Sequence, residues 1–202
     1  MENIKTRSEI AADLFIKGYN CAQSVVGAFA DKTDLDFETL MKLSSSFGAG
    51  MGKLREVCGA VSGMFIVLGL IKGYSSPTDA EGKAKHYEDI QRLGDKFKDE
   101  YGTIICRELL KGIKVQGGSE PEKRTEEYYK VRPCVRFVIR ATEILDDFLK
   151  ENNPSEGKPK ITWIFTHAHH DHMNLALSFL EKYHNEIEVT MFCYNFPSID
   201  DI

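Results

Sequence analysis

Two sets of residues in this chain could do chemistry. Five cysteines, Cys21, Cys58, Cys106, Cys134 and Cys193, are spread along its length, and a dense run, Thr166-His-Ala-His-His-Asp-His172, lies near its end. A cysteine is a nucleophile, a redox group or a metal ligand once it is a thiolate; otherwise it is a small buried hydrophobe. None of the gaps between the cysteines is a CxxC, so the spacing holds no sequence-local zinc site. The dispersed thiols must be gathered by the fold if they act together. The histidines need no gathering: imidazoles and a carboxylate this close together are a metal constellation.

The elements that must position the cysteines are helical. From residue 8 to about 150 the apolar residues recur at helical spacing: Ile10, Ala11, Leu14 and Phe15 on one face, then Cys21, Ala22, Val25, Val26 and Phe29. Asp36 is the N-cap of a third segment. A very apolar helix is expected from about Leu54 to Ile71. Thr78-Asp-Ala-Glu81 reads as a capping box opening a long helix with Tyr87, Ile90, Leu93, Phe97 and Tyr101 facing inward. A short helix near Cys106 stops at Gly112, the polar stretch from Lys114 to Arg124 reads as a mobile loop, and Pro133 opens a last long helix running to Lys150.

Three cysteines then fall at helix starts. Asn20, with Gln23 three residues on, caps a helix whose first turn holds Cys21; Pro133 places Cys134 likewise; Thr103, or the residue before Cys106, caps the third. Helix N-termini carry unpaired N–H groups and partial positive charge, and both favour thiolate over thiol. Cys58 is the exception, expected inside the apolar helix beside Gly59, Ala60 and Gly63. Glycine within a helix costs about 1 kcal/mol relative to alanine, so either a second helix packs closely there or the space holds a cluster or a partner sulfur. The loop Gly48-Ala-Gly-Met-Gly52 follows a helix rather than a strand. That excludes a dinucleotide fingerprint and leaves a tight helix connection.

These residues carry a resemblance. Tyr19-Asn-Cys-Ala-Gln23, Phe47-Gly-Ala-Gly-Met-Gly52, Val57-Cys-Gly-Ala-Val-Ser-Gly63, Cys106-Arg-Glu-Leu-Leu110 and Pro133-Cys134 resemble the C_GCAxxG_C_C family of redox-active proteins, over about Ile10 to Leu149. The resemblance assigns the family's four cysteines to Cys21, Cys58, Cys106 and Cys134, and leaves Cys193 apart. It implies a redox partner at a membrane, because such proteins are described beside transporter genes, rather than insertion into the membrane. Two chemistries suit four converging cysteines: thiol–disulfide exchange, or an Fe–S cluster or single metal held by thiolates.

After Lys150 the composition changes. A linker with two prolines is followed by an expected strand (Ile161–Phe165), a helix (Met173–His184) and a second strand (Ile187–Phe192). His167, His169, Asp171 and His172 resemble the HxHxDH motif of metallo-β-lactamase-fold hydrolases, which implies a metal such as zinc at those four residues. The 30 residues after His172 hold no further acid–imidazole cluster, and a catalytic zinc needs three protein ligands plus water. The segment therefore reads as an incomplete fragment. It could serve as a non-catalytic metal-binding module, and hydrolysis would require ligands from a second copy of the chain, where His184 is the only other histidine of the region.

Composition excludes other classes. The chain has 202 residues and a net charge of −5, with no Lys/Arg block, which argues against nucleic acid as a partner. Its longest apolar stretch, Ala60 to Ile71, is too short to span a bilayer. The N-terminus lacks an apolar signal core, so a cytoplasmic location is expected, where thiols stay reduced. The expectation is a mainly α protein: a helical bundle of about five to six helices forming a four-cysteine redox domain over residues 1–150, followed by a small strand–helix–strand segment over 151–202.

Overall fold

The computed structural model describes residues 5–152, 160–165, 178, 179, 182 and 188–194. The chain divides into two compact units, one ending at Phe148 and one beginning at Leu149. The first is helical: α1 (Arg7–Ile16), α2 (Cys21–Gly27), a 3-10 turn (Ala30–Lys32), α3 (Phe37–Ser45), α4 (Gly48–Met51), α5 (Gly59–Lys72), α6 (Ala80–Tyr101), α7 (Cys106–Leu109), α8 (Glu126–Val131) and α9 (Cys134–Asn152).

Local chemistry sets the starts of these helices. Thr6 and Glu9 form a capping box on α1, and Asn20 and Gln23 form one on α2. Asp36 accepts from the Thr39 N–H at the start of α3. The α6 cap is Asp79, which accepts from the Gly82 N–H, and not the Thr78 box read from the sequence. The structure adds α8 to the helices expected from the sequence, its start capped by Thr125, which accepts from the Tyr128 N–H.

Short α2 is the hub, packed against α1, α3 and α5, with α5 also resting on α6. The core holds Phe15, Val25, Val26, Phe29, Leu40, Met64, Leu68, Leu93, Phe97 and, from α9, Val138 and Leu145. Edge-to-face contacts of Phe137 with Phe97 and Tyr101 join α9 to α6. Leu93 and Phe97 face inward as expected, but Tyr87 does not: it is half exposed.

Gly59 and Gly63 explain how closely α2 and α5 approach. A Cβ on Gly63 would sit 2.8 Å from the Ala22 carbonyl oxygen, and one on Gly59 would sit 2.7 Å from the Phe47 carbonyl oxygen and 3.1 Å from the Cys21 Cβ. Backbone cannot retreat as a flexible side chain can. The glycine face is therefore what lets α2 pack closely on α5.

In the second unit β1 (Lys160–Phe165) and β2 (Glu188–Tyr194) pair in parallel, Lys160 beside Glu188 and Phe165 beside Tyr194. His167, His169, Asp171 and His172 lie outside the described residues, as does most of the helix expected between the strands. The strand–helix–strand unit is not carried further, and the fold class is mainly α.

Candidate functional site

The four cysteines Cys21, Cys58, Cys106 and Cys134 line one small cavity of about 30 Å³, together with Arg55, Tyr128, Arg132, Phe137 and others. All four are free thiols. Each stands at a helix start: Cys21, Cys106 and Cys134 are the first residues of α2, α7 and α9, and Cys58 is the N-cap of α5. The expected exception is thereby removed. Helix α5 begins at Gly59 rather than near Leu54, because residues 55–57 are engaged elsewhere.

That engagement is a short antiparallel pairing of Val57 with Ile105. Across it the Cys58 N–H donates to the Ile104 carbonyl at 2.8 Å, the Cys106 N–H to that of Glu56 at 2.6 Å and the Arg107 N–H to that of Arg55 at 3.0 Å. The pairing sets the starts of α5 and α7 side by side, with Cys58 and Cys106 one residue beyond the paired positions. Cys21 is held differently. The Asn20 amide donates to the Ser45 carbonyl and the Gln23 amide to that of Met41, which pins the start of α2 to the end of α3.

Between α3 and the Val57 pairing the backbone is strained. Ala49, Gly50, Met51, Gly52, Lys53 and Arg55 all have φ between 52° and 70°, a region that costs a non-glycine residue about 1–2 kcal/mol. A Cβ on Gly50 would lie 2.7 Å from the Cys106 Cβ, so this left-handed segment runs directly over that cysteine. The strained segment borders the cysteine cavity at both its ends, through Ala49 and Arg55. The tight helix connection read from the glycines is this strained segment.

The thiols are not uniformly activated. Burial pushes the Cys58 thiol up to about 12, against the smaller opposing effect of the Ala60 and Val61 N–H groups. Burial also raises Cys106, with the hydrogen bond and charge of Arg55 acting against it. Cys134 is raised chiefly by its hydrogen bond to Cys21, with burial second. The expectation that helix starts make these residues thiolates is corrected here. A helix N-terminus supplies about 0.3–1 kcal/mol, whereas full burial can move a pKa by about 3–5 units. Desolvation wins at Cys58. Cys21 differs in being only partly buried.

Cys21 also lines a second, outer cavity of about 310 Å³ with Asn20, Lys53, Arg55, Glu122, Arg124, Tyr128 and Arg132 among its walls. Arg55, Tyr128 and Arg132 border both cavities. Glu122 forms ion pairs with Arg55 and with Arg132, whose side chain is 6% exposed. The Arg132 guanidinium lies 5.0 Å from the centroid of the Tyr128 ring. Burial, then the nearby Cys134 and Cys21, pushes the Tyr128 hydroxyl up to about 12. Arg55, Glu122, Tyr128 and Arg132 carry no motif in the sequence. The stretch from Lys114 to Arg124, read as a mobile loop, forms part of the wall through Ser119, Pro121, Glu122 and Arg124.

Among the described residues no group of three or more His, Cys, Asp or Glu side chains is disposed to hold a metal ion. As arranged, the four thiols do not fit one. Among the described residues no helix is long and apolar enough to cross a membrane.

A protein-family model described as "Putative redox-active protein (C_GCAxxG_C_C)" matches residues 19–148. No curated protein and no solved structure matches the chain. The matched span takes in all four cavity cysteines, and the resemblance of the histidine-rich stretch to metallo-β-lactamase-fold hydrolases has no counterpart in it.

Proposed function

The chain belongs to the C_GCAxxG_C_C family of redox-active proteins, and from that premise we propose that it works by thiol–disulfide exchange, with Cys21 attacking and Cys134 resolving. One observation carries the reading: Cys21, which lines the inner cavity with Cys134, alone of the four is only partly buried and also borders the outer cavity.

The exchange balances without a further reagent. The Cys21 thiolate attacks one sulfur of a substrate disulfide, R–S–S–R, forming a mixed disulfide and releasing one RS⁻. The Cys134 thiol gives up its proton, which the released thiolate can take, and its sulfur attacks that of Cys21. A Cys21–Cys134 disulfide forms and the second RS⁻ leaves, to be protonated from solvent. Two electrons pass from the dithiol to the substrate, and an external reductant of the dithiol class closes the cycle. Cys58 and Cys106, buried and raised by that burial, line the same inner cavity and would take the oxidation from the Cys21–Cys134 disulfide in a second exchange.

Fe–S or single-metal chemistry at the same cysteines is the other reading, and it would require the thiols to regroup around the metal. The test has two parts. Anaerobically purified protein should be colourless and lack stoichiometric iron and sulfide. Limited oxidation followed by peptide mass spectrometry should yield Cys21–Cys134 as the first disulfide, and Cys134→Ser should trap a mixed disulfide on Cys21. A first disulfide that excludes Cys21, or stoichiometric iron and sulfide, would overturn the proposal.

A further inference from the structure

We infer that the outer cavity selects small disulfides bearing negative charge, such as those with carboxylate groups, and delivers their sulfur to Cys21. The inference rests on the exchange reading above and adds its substrate class.

The charge on the cavity wall carries it. Lys53, Arg55, Arg124 and Arg132 are four cations among the lining residues, and Glu122 is the one anion among them. Glu122 is shared between Arg55 and Arg132. Lys53 and Arg124 instead donate to neutral main-chain carbonyls, those of Glu120 and Phe15. These bonds hold the two cations in place without cancelling their charge. Arg124 is further fixed by the Phe15 ring, 4.4 Å from its guanidinium to the ring centroid. The chain as a whole carries −5, so this concentration of positive charge is local and runs against the average.

Volume and position agree with charge. At about 310 Å³ the cavity falls at the low end of the range for small-molecule sites, roughly 300–1,000 Å³, the size of a small metabolite and not of a folded protein's surface. Lys53 arrives on the left-handed segment, where its φ of 70° is unfavourable for a residue with a side chain. The segment thus brings a cation to the same cavity that Cys21 lines. Asn20 adds a polar side chain next to the nucleophile. A cationic wall of this kind raises the local concentration of anions and their rate of encounter by about 10–10³ fold. It also favours the thiolate that leaves when the substrate disulfide is cleaved.

The experiment compares three symmetric disulfides against the fully reduced full-length chain: dithiodiglycolate, which is dianionic, 2-hydroxyethyl disulfide, which is neutral, and cystamine, which is dicationic. The rate of Cys21–Cys134 disulfide formation with each is divided by its rate with free 2-mercaptoethanol, which removes intrinsic differences between the disulfides. Expected is a normalised preference of at least about tenfold for the dianion over the dication, falling with added salt. The preference should narrow in Lys53→Gln and in Arg124→Gln, and Lys53→Gln serves if loss of the Phe15 contact unfolds the second variant. Equal normalised rates, a preference for the neutral or cationic probe, or a preference unchanged by both substitutions would overturn the inference while leaving the exchange reading intact. Failure of all three probes to generate the Cys21–Cys134 disulfide would overturn both.

Discussion

Replacing Cys58 by alanine should make the folded protein less sensitive to alkali, by an amount the structure supplies. The Cys58 thiol is 5% exposed, and its burial pushes it from an ordinary 9.0 to about 12. The unfolded chain therefore loses this proton near pH 9 while the folded chain keeps it. With fewer protons on the unfolded state, unfolding becomes easier as pH rises: the stability is present in full below the unfolded value and is lost towards the folded one. Each pH unit within that window removes about 1.4 kcal/mol per such thiol. Between about pH 8 and pH 10 the wild-type chain should lose about 1.4 kcal/mol through Cys58 alone.

Other groups contribute to the same slope. Cys106 and Cys134 are also raised, and Tyr128 is pushed up to about 12. Urea unfolding of the reduced, chelator-treated protein, compared between wild type and Cys58→Ala at each pH, cancels their part. The variant should start lower from its lost packing, and the gap should close by about 1.4 kcal/mol by pH 10. A gap that stays constant would mean that Cys58 is not a buried thiol. A gap that widens with pH would mean that its folded pKa lies below the unfolded one, so that Cys58 folds as a thiolate. Either result removes the basis for placing Cys58 in a dithiol rather than a metal centre.

The structure makes further predictions at other points of the site. Gly63→Ala should destabilise the fold by about 1–3 kcal/mol in urea unfolding, because the new Cβ meets the Ala22 carbonyl at 2.8 Å and overrides the usual gain in helix propensity. Glu122→Gln leaves the guanidinia of Arg55 and Arg132 without their shared carboxylate; with side chains 15% and 6% exposed, the expected loss is about 2 kcal/mol, below the 3–5 of a fully buried pair. Glu126→Gln, on the exposed pair with Lys130, should shift the same unfolding curve by no more than about 0.5 kcal/mol. Brief alkylation near neutral pH should label Cys21 before Cys58, Cys106 or Cys134, read by peptide mass spectrometry, since the latter three are buried.

The helices and their caps were legible wherever local chemistry decides them. Asn20 with Gln23 and Asp36 with Thr39 are side chain–backbone pairs within three residues, and the structure has both. The start of α5 was not legible. Val57-Cys-Gly-Ala-Val continues the apolar pattern, so periodicity runs the helix through it; what stops the helix is pairing with Ile105, 48 residues away. Glycine gave two possible meanings for the face beside Cys58, and only the position of α2 decides between them. The outer cavity was hidden for the same reason. Arg55, Glu122 and Arg132 stand far apart in the chain, and an ion pair across 67 residues leaves no local pattern.

The strained segment and the four helix starts are parts of one arrangement. A helix presents its first residue at a definite place, so a cysteine there is positioned by backbone rather than by side-chain packing. Four such starts can meet only if the connections between them are short and sharply turned, and the segment from Ala49 to Arg55 is the sharpest of these. Its left-handed residues cost several kcal/mol in sum at about 1–2 each, which the buried faces of α2 and α5 must offset. In return Gly50 comes against Cys106, Arg55 reaches between the two cavities and Lys53 reaches the outer one. The helix starts alone would leave the deeper thiols protonated, as burial leaves Cys58 and Cys106. The arginines supply the opposing field: Arg55 lowers both Cys106 and Cys134, and Arg132 does the same. Under the proposed exchange this arrangement holds Cys58, Cys106 and Cys134 as buried thiols and starts the reaction at Cys21, the one of the four that is partly exposed.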